Sequence, residues 1–140
     1  MRAEELLKRL SLDEKCAQVT CVESTSIVDE HGRFDPQKAQ ELLAHGIGGL
    51  SSSTIFMLGH RVDALAQLIC DLQDWLLHNT KAKIPALPHT ETMSGFACPG
   101  APVYPDPICA ASTFEPAFAR TMGEQIRRQM LPAGVRHTLA

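Results

Sequence analysis

The residues that decide the fold are 47–89, IGGLSSSTIFMLGHRVDALAQLICDLQDWLLHNTKAKIPALPH. Residues 47–50 form a short apolar run bracketed by glycines, which is typical of a buried strand. Residues 60–78 repeat apolar side chains at helical spacing and predict a long helix. Residues 84–89 are a second apolar run, whose two prolines are tolerable at the first residues of a strand or at a bulge. A strand, a helix and a second strand in this order predict a parallel βαβ unit.

The residues before this unit predict helices joined by a loop. Ser11 and Glu14 have the spacing of a capping box, in which each side chain accepts a hydrogen bond from the other residue's backbone N–H. A helix should follow from residue 12 to about residue 19 or 21. Residues 23–34 are polar and contain a glycine, so we expect them to form a loop.

A third helix is predicted immediately before the βαβ unit. Asp35 is a suitable N-cap acceptor, and Pro36 fits the first helical position, where its missing N–H costs nothing. Gly46 is expected at the C′ position of this helix, since glycine readily adopts the left-handed conformation found there. The short strand at residues 47–50 would then begin directly after the helix.

The residues after the βαβ unit predict a loop, a helix and the start of another strand. Residues 92–113 are rich in Gly, Pro, Ser and Ala and are expected to form a long loop. Pro116 should begin a helix that runs to about residue 131, and residues 135–140 start a further apolar segment. This pattern contains three strands and predicts the opening part of an α/β domain.

Composition excludes several functional classes. Thirteen basic and sixteen acidic side chains give a net charge of −3. No block of like charge stands out, so neither nucleic acid nor a membrane surface is an expected partner. No apolar run approaches the roughly 20 residues that span a bilayer. The N-terminus lacks the apolar region of a signal peptide, so we expect a cytoplasmic location.

Cysteine and histidine spacing indicates neither a disulfide framework nor a metal site. The five cysteines, at 16, 21, 70, 98 and 109, are odd in number and include no C-x-x-C pair. We therefore expect free thiols. The six histidines include no H-x-x-x-H pair, so no metal is expected. We expect no cofactor.

Residues 84–126 carry the motifs that indicate a family. A segment beginning Ile-Pro is followed by a set of framework residues: Pro99, Gly100, Ala101, Pro105, Ile108, Ala110, Ala111, Thr113 and Pro116. This ordered set resembles the N-terminal domain of glycoside hydrolase family 3, which includes β-glucosidases, β-xylosidases and β-N-acetylhexosaminidases. Residues 6–19 resemble the family's opening helices, and residues 46–51 resemble its first barrel strand. Residues 134–140 resemble the run into its third strand.

The resemblance implies an incomplete (β/α)₈ TIM-type barrel, a fold that typically needs about 250 residues. We expect residues 1–140 to be a single partial N-terminal barrel domain. The leading helices and loop would occupy about 1–34, and the first strand–helix units 35–140. The family hydrolyses β-glucosides or β-xylosides by a retaining mechanism, which needs two carboxyl groups. Both carboxyl groups, and the family's Lys-His pair, would lie beyond Ala140. We therefore expect a fragment without catalytic residues that is inactive alone.

Glu91 is the position to which the resemblance gives a role. The family has an acidic residue there that accepts hydrogen bonds from sugar hydroxyls in the −1 subsite. The carboxyl end of a barrel strand faces the active-site mouth, which suits a small carbohydrate substrate. The alternative for Glu91 is a solvated loop glutamate. His89 would orient Glu91 or line the pocket; its alternative is a hydrogen-bonded barrel histidine.

Some residues depart from the family pattern and leave other functions open. Thr90, Thr92 and Ser94 replace residues that are commonly acidic, glycine and histidine in the family, which puts the sugar preference in doubt. One alternative is a non-catalytic partial barrel that binds a sugar or a partner chain. An unrelated doubly wound α/β domain is another, although no G-x-G-x-x-G or Walker motif follows either strand. Unpaired strand edges would also favour self-association.

Overall fold

A computed structural model describes residues 3–53, 59 and 61–140. The helices and strands follow in this order: α1 Ala3–Arg9, α2 Leu12–Ala17, β1 Cys21–Glu23, α3 Pro36–Leu42, β2 Gly49–Ser51, α4 Val62–Asn79, β3 Leu87–Glu91, α5 Pro107–Ala111, α6 Pro116–Met130 and β4 His137–Leu139. Turns of 3-10 helix lie at Ser24–Ile27 and Leu131–Ala133. No helix in the described ranges is both long and apolar enough to cross a membrane.

The four strands form one parallel sheet in the order β1-β2-β3-β4. Helices α3 and α4 lie between consecutive strands in the chain, and α5 and α6 lie between β3 and β4. The pairing places Glu23, Ser51, His89 and His137 in one row across the sheet. The prediction of an α/β fold with parallel strands is therefore confirmed.

The strand β1 was not predicted, and the sheet has four described strands where the sequence indicated three. Helix α2 ends at Ala17, short of the predicted residue 19 or 21, and the expected loop at 23–34 begins inside β1. A strand of three residues is too short to show a period-two pattern. Its partner is β2, which lies far along the chain and leaves no local trace in the sequence.

Strands β2 and β3 both begin later than predicted, because neighbouring segments bind the backbone before each strand. The Gly48 N–H donates to the carbonyl oxygens of Ala17 and Thr20, at 3.0 and 3.2 Å. The Gln73 side chain of α4 hydrogen-bonds to both backbone groups of Ala86. Its amide donates to the Ala86 carbonyl at 2.8 Å, and its oxygen accepts from the Ala86 N–H at 2.9 Å. The residues immediately before β2 and β3 therefore pack beneath the sheet and are not part of its strands.

The predicted N-caps of α2 and α3 are both confirmed, but the predicted end of α3 is wrong. Ser11 and Glu14 form the reciprocal capping box, and Asp35 accepts from two backbone N–H groups at the start of α3. Helix α3 ends at Leu42, several residues before Gly46. Gly46 instead closes a turn beyond the helix, with φ +90° and its N–H donating to the Leu43 carbonyl.

Helix α4 supplies the largest share of the core. It begins at Val62, and the predicted start at residue 60 lies outside the described residues. Its fully buried side chains Leu65, Leu72 and Leu76 belong to the same apolar cluster as Leu50 of β2. Burying a leucine contributes about 1.5–3 kcal/mol, so this helix fixes one face of the sheet.

The C-terminal part differs from prediction in detail. The expected loop 92–113 contains the short helix α5, and α6 ends at Met130 as a 3-10 turn takes over. Pro132 lies inside that turn and so does not break α6. Gly134 follows with φ +84°, and a Cβ there would lie 2.9 Å from Cγ2 of Ile69. The predicted strand within 135–140 is present as β4.

Candidate functional site

The two faces of the sheet differ in what covers them. Leu50 and Thr90 point to the face that the helices cover, and both side chains are fully buried. Parallel strands in register place alternate residues on the opposite face. That face carries Cys21, His89, Glu91 and His137, of which only His89 is partly buried and the others are exposed. We call these four residues the open-face cluster.

Glu91 is the last residue of β3 and lies at the carboxyl end of the sheet. Its side chain is exposed, and among the described residues no hydrogen bond or ion pair engages its carboxylate. An ionised carboxylate only accepts hydrogen bonds, and its two oxygens can take several at once. Glu91 is therefore free to accept bonds from a ligand rich in hydroxyl groups.

The His89 side chain contacts side chains of β1 and β4, which lie on opposite sides of β3. Its Nε2 lies 3.2 Å from Sγ of Cys21 on β1, and its ring meets the ring of His137 on β4 edge-on, with centroids 5.9 Å apart. Its Nδ1 is buried and has no hydrogen-bond partner among the described residues. The structure thus places His89 two residues before Glu91 on the same face, with its ring held from both sides.

Sequence reasoning assigned no role to Cys21, which reaches His89 across β2 because Gly49 has no side chain. A Cβ at Gly49 would lie 3.3 Å from Sγ of Cys21, so a larger residue would crowd this path. Burial raises the pKa of the Cys21 thiol, and the Glu23 carboxylate raises it further, against a backbone hydrogen bond from Ser51 that lowers it. Cys21 therefore stays a protonated thiol at neutral pH.

The end of β2 is tied to β3 beside this cluster. The Ser52 backbone N–H and hydroxyl both donate to the His89 carbonyl, at 2.9 and 2.7 Å. Ser51 and Ser52 are both buried. The two bonds from Ser52 fix the backbone of His89 against the end of β2.

The loop after Glu91 is held in place by several hydrogen bonds. The Thr92 N–H donates to the Leu139 carbonyl, and the hydroxyls of Thr92 and Thr138 bond to each other. The Ser94 hydroxyl donates to Asp106 at the start of α5. Gly95 has φ +110°, and a Cβ there would lie 2.7 Å from a backbone oxygen of the returning loop. These contacts make a defined rim next to Glu91.

No group of three His, Cys, Asp or Glu side chains within the described ranges has a geometry that could hold a metal ion. The open-face cluster instead offers one free carboxylate, two imidazoles, of which that of His89 has one engaged nitrogen, and a protonated thiol. This set can accept and donate hydrogen bonds to an uncharged polar ligand. The cluster contains a single carboxylate, and Glu23 lies on the same face at the end of β1.

The sequence is similar to known proteins. Residues 11–140 match the family model described as "Glycosyl hydrolase family 3 N terminal domain". A protein of Formosa agariphila named "Putative beta-xylosidase" is 29% identical over 133 residues. That similarity covers 91% of this chain and 17% of the relative, so the chain spans less than a fifth of the relative's length.

Proposed function

The chain belongs to glycosyl hydrolase family 3, to whose N-terminal domain its residues 11–140 correspond, and from this we propose that it is part of a retaining β-glycosidase. The resemblance drawn from the sequence is thereby confirmed at the level of the family. Substrates of the proposed enzyme are β-xylosides or β-glucosides, and the name of the Formosa relative favours xylosides. Its two catalytic carboxyl groups lie outside these 140 residues.

The proposed architecture is the first part of a (β/α)₈ barrel. Four parallel strands paired in chain order, with helices between them over one face, are what such a barrel begins with. In that arrangement the open face becomes the barrel interior, and the carboxyl ends of the strands form the active-site mouth. Residues 1–140 would then be a single partial domain.

The observation that carries the proposal is the free carboxylate of Glu91 at the carboxyl end of β3. We propose that Glu91 binds hydroxyl groups of the sugar in the −1 subsite, and that His89 lines the same subsite. Charge-assisted hydrogen bonds to a carboxylate are the strong class of such contacts. Because Glu91 takes no part in bond cleavage, its role is to bind and orient the sugar.

The test is a chimera in which residues 1–140 replace the matching segment of the Formosa relative. Glu91→Ala should lower kcat/KM by about 10–100-fold, since one charge-assisted bond contributes about 1.5–3 kcal/mol at most. The loss should be no larger for a xyloside than for a glucoside, because xylose lacks the hydroxymethyl group. The matched control is Glu41→Ala on α3, an exposed glutamate on the helical side of the sheet, which should change nothing.

The 140-residue chain by itself should release no nitrophenol from either substrate, because it lacks the carboxyl pair. An unchanged kcat/KM for Glu91→Ala with both substrates would show that Glu91 is a solvated loop glutamate. Turnover by the isolated chain that disappears on Glu91→Gln would instead place catalysis within these residues and overturn the proposed division.

A further inference from the structure

The contact between Cys21 and His89 joins residues 68 positions apart and is not needed for Glu91 to bind a sugar. It crosses β2 at Gly49, the one position on that path without a side chain. On its other side the His89 ring meets His137 of β4, so the ring is held between β1 and β4. A ring held in this way presents its two nitrogens in defined directions.

The direction of the hydrogen bond follows from the thiol. Burial raises the pKa of Cys21, so the sulfur carries its proton at neutral pH. That proton has an acceptor of its own, because the Val22 carbonyl oxygen lies 3.7 Å from Sγ. Sγ accepts from the Ser51 backbone N–H and has a second lone pair available, since sulfur is a weak acceptor as well as a weak donor. The 3.2 Å contact is therefore best made by an Nε2–H group donating to Sγ.

The second ring nitrogen leads to the same assignment. Nδ1 of His89 is buried and has no partner among the described residues. A buried N–H without a partner is rarer in proteins than an acceptor left unpaired, because the lost donor carries a full desolvation penalty. A neutral imidazole has one protonated nitrogen. Placing that proton on Nε2 leaves an unpaired acceptor at Nδ1 and avoids an unpaired buried donor.

We propose that Cys21 is a positioning residue, which holds the His89 imidazole as its Nε2–H tautomer by accepting the Nε2 proton at Sγ. The buried Nδ1 of His89 then carries a lone pair and no proton. That His89 lies next to a bound sugar rests on the proposed function, but the tautomer and the contact do not. As this tautomer, Nδ1 can accept a hydrogen bond and cannot donate one.

The test is ¹⁵N NMR of the histidine-labelled chain at pH 8, more than one unit above the ordinary histidine pKa of about 6.5. Magic-angle spinning of sedimented protein makes the measurement independent of self-association, and a His89→Gln sample identifies the His89 signals. We expect protonated Nε2 and unprotonated Nδ1. In Cys21→Ala, the Nε2 proton should exchange with deuterium about tenfold faster, which corresponds to the loss of one hydrogen bond.

Two further variants separate positioning from mere packing. Cys21→Ser restores an acceptor of similar size and should restore slow exchange, whereas Cys16→Ala, an exposed cysteine on α2, should leave His89 unchanged. A protonated Nδ1 in the unmodified chain would overturn the proposal without any variant, and so would unaltered exchange in Cys21→Ala. No sugar is present in these measurements, so their failure is distinct from a failure of Glu91 in the kinetic test.

Discussion

Ser11 and Glu14 show how far a local motif determines structure. The Ser11 N–H donates to Glu14 Oε2 at 2.7 Å, and the Glu14 N–H donates to Ser11 Oγ at 3.2 Å. The Ser11 backbone N–H and hydroxyl, which donate to the Glu14 carboxylate, lower the pKa of Glu14. A carboxyl whose pKa is lowered on folding stabilises the fold above its unfolded pKa, and that contribution is lost as pH falls through the folded value.

The first prediction therefore concerns pH. Ser11→Ala should lower the free energy of unfolding by about 1 kcal/mol at pH 7, the usual cost of losing such a cap. Its effect should shrink as pH falls below the unfolded glutamate pKa of about 4.3, because a protonated Glu14 no longer supports the box. Urea unfolding at pH 7 and pH 3 measures both. An equal loss at the two pH values would contradict the role of the Glu14 charge.

At this scale the sequence predicts what is close along the chain. The capping box and the Asp35 cap each join residues at most three positions apart, and both are present as predicted. The contact of Cys21 with His89 depends on strand pairing across β2 and on the missing side chain of Gly49. No local pattern encodes such a contact. Glu91 was found only through the family resemblance, since an exposed glutamate at a strand end has no signature of its own.

The elements pack most tightly where β2 begins. A Cβ at Gly48 would lie 1.9 Å from the carbonyl oxygen of Gln18, between α2 and β1. That neighbour is backbone, held by the hydrogen bonds that join this turn to β2, so it cannot move aside cheaply. Gly48 is thus required for close approach of two chain segments.

We predict opposite effects for two alanine substitutions. Gly48→Ala should destabilise by more than the roughly 0.5–3 kcal/mol of ordinary substitutions, because the clash must separate β1 from β2. Gly123→Ala, within α6 and with nothing within 4 Å of its added Cβ, should stabilise by about 0.5–1 kcal/mol. Thermal melting followed by circular dichroism compares them. An unchanged melting temperature for Gly48→Ala would refute the close contact.

The predicted start of β3 is wrong because a side chain from another element hydrogen-bonds to the backbone before it. The Gln73 amide binds both backbone groups of Ala86, which moves the start of β3 to Leu87. Gln73 lies in the middle of α4, and helical spacing alone gives no reason to pair it with a residue after the helix. The long helices α4 and α6 were predicted nearly to the residue, because their apolar faces repeat over many turns.

Across the whole molecule, the sheet has two outer strands, β1 and β4, that pair on one side only among the described residues. The open face also exposes apolar side chains, including Leu87 at 49% and Leu139 at 42%. An open edge beside exposed apolar surface is a template for pairing with another chain. We therefore propose that the isolated chain associates with itself through these edges.

The corresponding experiment is sedimentation velocity over a range of protein concentrations. The unmodified chain should associate, and Leu139→Lys on β4 should reduce association, because an edge lysine opposes strand pairing. Leu42→Lys on α3, where the leucine is also exposed, serves as the control and should leave association unchanged. A monomer at all protein concentrations would contradict the proposal. Equal effects of the two lysine substitutions would indicate nonspecific association and would also contradict pairing through the β4 edge.

The order β1-β2-β3-β4 has a consequence for the way the chain is made. Each of β2, β3 and β4 pairs with the strand translated immediately before it, so its first partner has already left the ribosome. At roughly 5–20 residues per second, consecutive strands emerge seconds apart, which leaves each new strand time to join the sheet singly. Assembly can therefore follow translation from the N-terminus. After each strand joins, the newest strand is the outer edge of the sheet. This is the edge that the nascent chain newly exposes to neighbouring chains on the same polysome.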